Sequence, residues 1–147
     1  MNLITRVLGA GGRSLPKSAK YSLGFANSSI SYPHATQVKI QPNVISSDSS
    51  LGFQTSGDLI IPNDGILVMG AFIRYSTTVS VTEGLRFFKN GGAEVGIQYF
   101  PQSTLTIPFS PFIMSVNRGD KVWMTLRQDG GSTVTLSIQS YVYAVLL

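Results

Sequence analysis

This sequence predicts an all-β fold, an antiparallel β-sandwich or jelly roll, on three observations. Turn signals with Gly beside Asn or Asp recur at Asn63-Asp64-Gly65, Asn90-Gly91-Gly92, Asn117-Arg118-Gly119-Asp120 and Asp129-Gly130-Gly131. Between them lie short apolar or alternating runs of strand length, and no run with the period of a substantial helix. Hydroxyls stand where charges usually do. The chain of 147 residues is 43% hydrophobic and only 12% charged, about half the usual charged share.

Up to residue 47 the chain carries Gly9, Gly11, Gly12, Pro16, Gly24, Pro33 and Pro42, many Ser and no sustained period. That composition reads as an extended N-terminal arm over residues 1–47. Leu3, Ile4, Val7 and Leu8 have the spacing that puts four side chains on one face of a helical turn. Thr36 to Gln41 alternates through Val38 and Ile40 and predicts a short strand, and Ser46 to Ser50 predicts a linker.

Residues 48–147 read as the head domain. Leu59 to Ile61 is a short strand stopped by Pro62, and Ile66 to Tyr75 is a long one. Leu85 to Lys89 ends at Asn90-Gly91-Gly92, and Glu94 to Phe100 ends at Pro101. Leu105, Ile107 and Phe109 alternate, as do Val134, Leu136 and Ile138; Lys121 to Gln128 and Ser140 to Leu147 complete about eight strands. Each turn places Gly where a positive φ costs little, next to a side chain that can bond its own backbone.

Two strands break the alternation. Ile66 to Ile73 and Tyr141 to Leu147 are apolar on both faces, whereas a sandwich strand normally has one face in water. Their outer faces need cover, from the arm, from a long loop or from another subunit. Burying one Val, Leu or Tyr against a partner is worth roughly 1.5–3 kcal/mol, so several together favour self-association.

Composition also narrows the function. There is no cysteine and one histidine, His34, which removes disulfides, thiolate metal sites and any site needing two imidazoles. The seven carboxylates are spread singly, mostly in turns, and no Gly-x-Ser-x-Gly elbow occurs. Oxygen ligands for calcium could gather from Asp58, Asp64 or Asp120, but no spacing argues for it. The expectation is no catalytic residue, no metal and no cofactor. His34 reads as an exposed or locally bonded loop residue. No run reaches the ~18 apolar residues of a membrane span, so no membrane contact is expected. The first 47 residues also fit an organelle transit peptide; we read them as an arm of the mature protein.

The order of features from residue 53 to 147 resembles the globular head of the tumour-necrosis-factor/complement (C1q-like) family. Gly57-Asp58-Leu59-Ile60-Ile61-Pro62-Asn63-Asp64-Gly65-Ile66-Leu67-Val68 is similar to that family's second-strand motif. Leu85 to Lys89 with Asn90-Gly91, Val116 to Met124 with its Gly-Asp turn, and the ending Tyr141 to Leu147 follow in the family's order. The resemblance implies a jelly roll assembled as a homotrimer. It is shared with tailed-phage capsid decoration (cement) proteins, which the absence of a collagen-like stalk, secretion signal and cysteine favours over extracellular signalling.

Trp123, Tyr141, Tyr143, Val145 and Leu147 are the candidate trimer-interface residues. The arm is the candidate partner-binding element. Leu3, Ile4, Val7 and Leu8 would form an apolar plug, and Arg6, Arg13, Lys17 and Lys20 would orient it on an acidic protein surface. The charge supports the division: residues 1–47 hold five basic and no acidic residues (+5), and residues 48–147 six basic and seven acidic (−1), making the overall +4. Dispersed cations without a dense basic run argue against nucleic acid. The favoured expectation is a structural virion protein on the capsid surface, a trimeric cement protein whose partner is the major capsid protein or another virion protein. Two alternatives stay open. One is a receptor- or glycan-binding head using loops such as Ser76 to Gly84 and Gly91 to Gly96; the other is a small jelly-roll coat protein.

Overall fold

The strand Gly65–Val81 is the longest among the described residues and pairs with three other strands of its sheet. The computed structural model describes residues 19–47, 50–81, 84–99 and 102–147. Thirteen strands are found among them: β1 (Lys20–Ala26), β2 (Ser31–Tyr32), β3 (Val38–Lys39), β4 (Pro42–Ser47), β5 (Leu59–Ile60), β6 (Gly65–Val81), β7 (Gly84–Lys89), β8 (Ala93–Tyr99), β9 (Gln102–Pro108), β10 (Phe112–Val116), β11 (Lys121–Leu126), β12 (Val134–Thr135) and β13 (Tyr141–Leu146). One sheet has the order β10-β6-β13-β1-β4, with β9 also paired to β6. The second has the order β3-β11-β7-β8, with β5 paired to β11. A ribbon of β12 and β2 stands beside them.

Alternation decides what lies between the sheets. From the six-stranded sheet come Leu67, Met69, Ala71 and Ile73 of β6 and Val142, Ala144 and Leu146 of β13. From the five-stranded sheet come Leu85 and Phe87 of β7 and Val122, Met124 and Leu126 of β11. All are buried. Side chains from the two inner faces form one core, as in other sandwiches. The turn after β7 carries Asn90 at φ 44 ahead of Gly91 and Gly92, and there the Asn90 amide reaches across to Asp120 at 2.6 Å.

The all-β antiparallel jelly roll is as expected, but the boundary at residue 47 is not. Residues 20–47 contribute β1 to β4, and β1 lies inside the six-stranded sheet between β13 and β4. What made this segment read as an arm was its run of Ser, Gly and Pro. Its apolar residues Tyr21, Leu23 and Phe25 alternate over too few positions to stand out alone, and they form a strand because β13 supplies register from far along the chain. Ser46 and Ser47, expected in a linker, end β4. β10 was also missed, and β6 runs six residues past its expected end at Tyr75. The predicted helical turn at Leu3 to Leu8 lies outside the described residues.

Candidate functional site

The strand β13 fixes the geometry of the most distinctive surface. Because Val142, Ala144 and Leu146 enter the core, Tyr141, Tyr143 and Val145 must point to the other side of the sheet. Their cross-strand partners share that side: Phe25, Leu23 and Tyr21 on β1, and Phe72, Gly70 and Val68 on β6. Beyond β6, Ile113 of β10 lies opposite Val68. The outer face of the six-stranded sheet is therefore aromatic and aliphatic across four strands. Antiparallel sheets usually turn polar residues outward; the centre of this face is apolar, with Asn43 and Ser115 at its margins.

Part of the face is closed by its own side chains. Leu23 is 0% exposed and Tyr143 6%, with Tyr21 and Tyr141 packed against them. The rings of Phe72 and Tyr141 stack with centroids 5.3 Å apart. Around this centre apolar surface remains open: Ile66 is 41% exposed and Ile113 64%. Burial pushes the Tyr143 phenol up to about 12, with neighbouring Tyr141 adding to the effect, and burial also raises Tyr141. Both phenols stay neutral at physiological pH, so they place no charge on this face.

The expected interface residues are only partly brought together. Tyr141, Tyr143 and Val145 lie side by side on this face. Leu147, 51% exposed, follows at its end, and its backbone exchanges hydrogen bonds with Ile66 at 2.9 and 3.1 Å. Trp123 does not join them. It stands on β11 of the opposite sheet, stacked on Phe88 with centroids 5.6 Å apart and with the Lys39 ammonium 5.1 Å from its ring centre. Phe72 belongs to the strand read as apolar on both faces, whereas Tyr21, Leu23, Phe25 and Ile113 on this face were not anticipated; the alternation of Tyr21, Leu23 and Phe25 was the signal available for three of them.

Of the expected partner-binding residues, Leu3, Ile4, Arg6, Val7, Leu8, Arg13 and Lys17 lie outside the described residues. Lys20 heads β1 and donates to the Ser50 hydroxyl at 2.7 Å. His34 is exposed, and its Nδ1 accepts from the Gly131 backbone N–H, 97 positions along the chain, at 3.1 Å.

Protein donors already occupy the carboxylates considered for calcium. Asp58 accepts from Lys39 at 2.5 Å and Ser56 at 2.8 Å, with Lys121 at 3.3 Å. Asp64 accepts from the Arg118 backbone at 2.7 Å, and Asp120 from Asn90 and the Asn117 backbone. Burial works against the charge on Asp58, but its hydrogen bonds outweigh burial and hold the carboxyl below its ordinary range. The Asn117 backbone N–H and the Asn90 amide do the same for Asp120. Among the described residues no cluster of three His, Asp or Glu could hold a metal ion.

With this topology in place, comparison with known proteins defines the class. No protein-family model and no curated protein sequence matches the chain, but solved structures match over most of its length. Murine APRIL superposes with a TM-score of 0.63 at 13% identity, covering 88% of this chain and 100% of that one. The PRD1 vertex protein P5 gives 0.63 at 14% identity, covering 88% and 96%. The globular domain of zebrafish complement 1qA gives 0.53 at 16% identity, covering 89% and 97%. The chain has the tumour-necrosis-factor/C1q-type jelly-roll fold. At these identities the likeness is one of fold.

Proposed function

We propose that the protein is a homotrimeric structural head of a virion, a capsid decoration protein anchored by its N-terminal segment. The observation that carries the reading is the outer face of the six-stranded sheet, where Ile66 and Ile113 are exposed beside the half-buried Phe72 and Tyr141. Burying each such side chain against a neighbouring copy is worth roughly 1.5–3 kcal/mol. Three copies around an axis let each protomer cover its neighbour and close the assembly. The likeness to a phage vertex protein supports a virion setting. The anchoring role belongs to residues 1–18, with Arg6, Arg13 and Lys17 and no acid, because residues 20–47 are committed to the sheets. One anchored segment raises the effective concentration of the other two.

The test compares full-length protein with a chain lacking residues 1–18. Both are expected to be trimers by sedimentation equilibrium, and only the full-length protein is expected to bind capsids purified without it. A monomer at micromolar concentration overturns the trimer, and equal capsid binding by the truncated chain overturns the anchor.

A further inference from the structure

At the end of the outer face, beyond the Phe72–Tyr141 pair, two clefts meet at Gln139. One is polar, with a volume of about 360 Å³, lined by Arg74, Ser76, Ser137 and Gln139 beside Tyr75. The other, of about 490 Å³, is lined mainly by carbon from Phe25, Ala26 and Ile138, with Ser28 and Asn43 at its edge. Ile138 is 73% exposed.

Among the described residues no carboxylate pairs with Arg74, the cation of the polar cleft. Arg86 faces Glu94 and Arg127 faces Asp129. Asp58 and Asp120 are taken by lysines on the other sheet, and Asp64 by the Arg118 backbone. Arg74 instead donates from Nη1 to the Oε1 of Gln139. That bond leaves the Nε–Nη2 edge of the guanidinium, the edge that takes a carboxylate through two parallel hydrogen bonds.

The surroundings hold the site still. The Arg74 backbone N–H donates to the Ser140 hydroxyl at 2.8 Å and its carbonyl accepts from that hydroxyl at 2.9 Å. The Ser137 N–H also donates to the Arg74 carbonyl, at 2.7 Å. Arg74 and the turn bearing Ile138 and Gln139 thus form one unit.

We propose that this composite site binds an acidic peptide segment of a partner protein, with a carboxylate on Arg74 and a large aliphatic side chain in the Phe25–Ile138 cleft. The carbon lining favours peptide over sugar. A sugar ring would set several hydroxyls against carbon with only Ser28, Asn43 and Gln139 to bond them, and unsatisfied buried hydroxyls are costly. An aliphatic side chain carries no such requirement. Because Gln139 lines both clefts, a carboxylate and an aliphatic group close together in one peptide can reach both. The residues lining both clefts belong to one protomer, and Phe25 among them also borders the outer sheet face, so sedimentation of the same sample reports the oligomer separately from the titration.

The experiment is an NMR titration of the full-length protein with an acetylated, amidated hexapeptide carrying glutamate and leucine two positions apart. Control peptides replace the glutamate with glutamine or the leucine with serine, and a uronate disaccharide is the competing ligand. The Arg74 Nε–H and Ile138 methyl signals are expected to shift together. Arg74→Gln is expected to weaken binding by about 10- to 100-fold, the worth of a hydrogen-bonded charge. Ile138→Ser, a change on the surface, is expected to weaken it with unchanged thermal unfolding. Absence of shifts, equal binding of the glutamine peptide, or binding of the uronate alone would each overturn the proposal.

Discussion

The ring of Tyr143 lies across Gly70 on the neighbouring strand, so that a β-carbon at Gly70 would stand 2.7 Å from the phenol oxygen and 2.9 Å from Cζ. The absent side chain lets the ring lie flat on the outer face, where it covers the sheet and is itself 6% exposed. A smooth aromatic surface of this kind suits the packing of copies against one another. Gly70→Val should lift the ring, lower the thermal midpoint and weaken the oligomer. In a Tyr143→Ala background the same substitution should cost less, with a coupling of about 1–3 kcal/mol in a double-mutant cycle. Additive effects would show that the ring and the glycine act separately.

A charge placed on the open part of the same face should separate assembly from folding. Ile113 is 64% exposed in the single chain, so Ile113→Asp should change protomer stability by only about 0.5 kcal/mol. Within an apolar contact the carboxylate would be buried without a partner. Sedimentation velocity should then report a folded monomer with an unchanged far-UV spectrum.

Acid should act through the two depressed carboxylates, Asp58 and Asp120. A carboxyl held lower in the folded state stabilises it fully above the unfolded value of about 3.9. That contribution is lost as pH falls below this value and through the folded pKa. Denaturant midpoints measured from pH 6 downward should therefore decline below about pH 4. Asp58→Asn should flatten the decline, because its pair with Lys39 and Lys121 is then gone at every pH.

Gln128, 0% exposed, is a buried clamp. Its amide nitrogen donates to the Tyr32 carbonyl at 2.9 Å and the Ser132 carbonyl at 2.8 Å, and its oxygen accepts from the Gly130 N–H at 2.7 Å. Gln128→Leu should strand these groups and cost about 3 kcal/mol, read as a shift in urea midpoint with little change in slope.

Turn chemistry is local, which is why the head was legible residue by residue. Asn90-Gly91-Gly92 and Asn117 to Asp120 set backbone angles and hydrogen bonds within a few positions of themselves, and β7, β8 and β11 beside them stand close to where they were expected, whereas β10 was missed. β1 was not legible, since Tyr21, Leu23 and Phe25 gain their meaning only when Val145, Tyr143 and Tyr141 lie beside them. The arm shrank for the same reason. Trp123 reads the same on either sheet, because alternation tells one face of a strand from the other and does not tell which sheet the strand joins. Arg74 and Gln139 are 65 positions apart, and nothing in either neighbourhood marks them as partners.

By itself the sequence determined that Ile66 to Ile73 and Tyr141 to Leu147 are apolar on both faces and must both be covered, because alternate residues of a strand point to opposite sides. Only the tertiary structure decided that these strands are neighbours, that β1 completes their outer surface and that Trp123 faces the other way. Those relationships depend on pairings between distant segments. Their register follows from burying one shared core, a property of the assembled sandwich that no single stretch of chain contains.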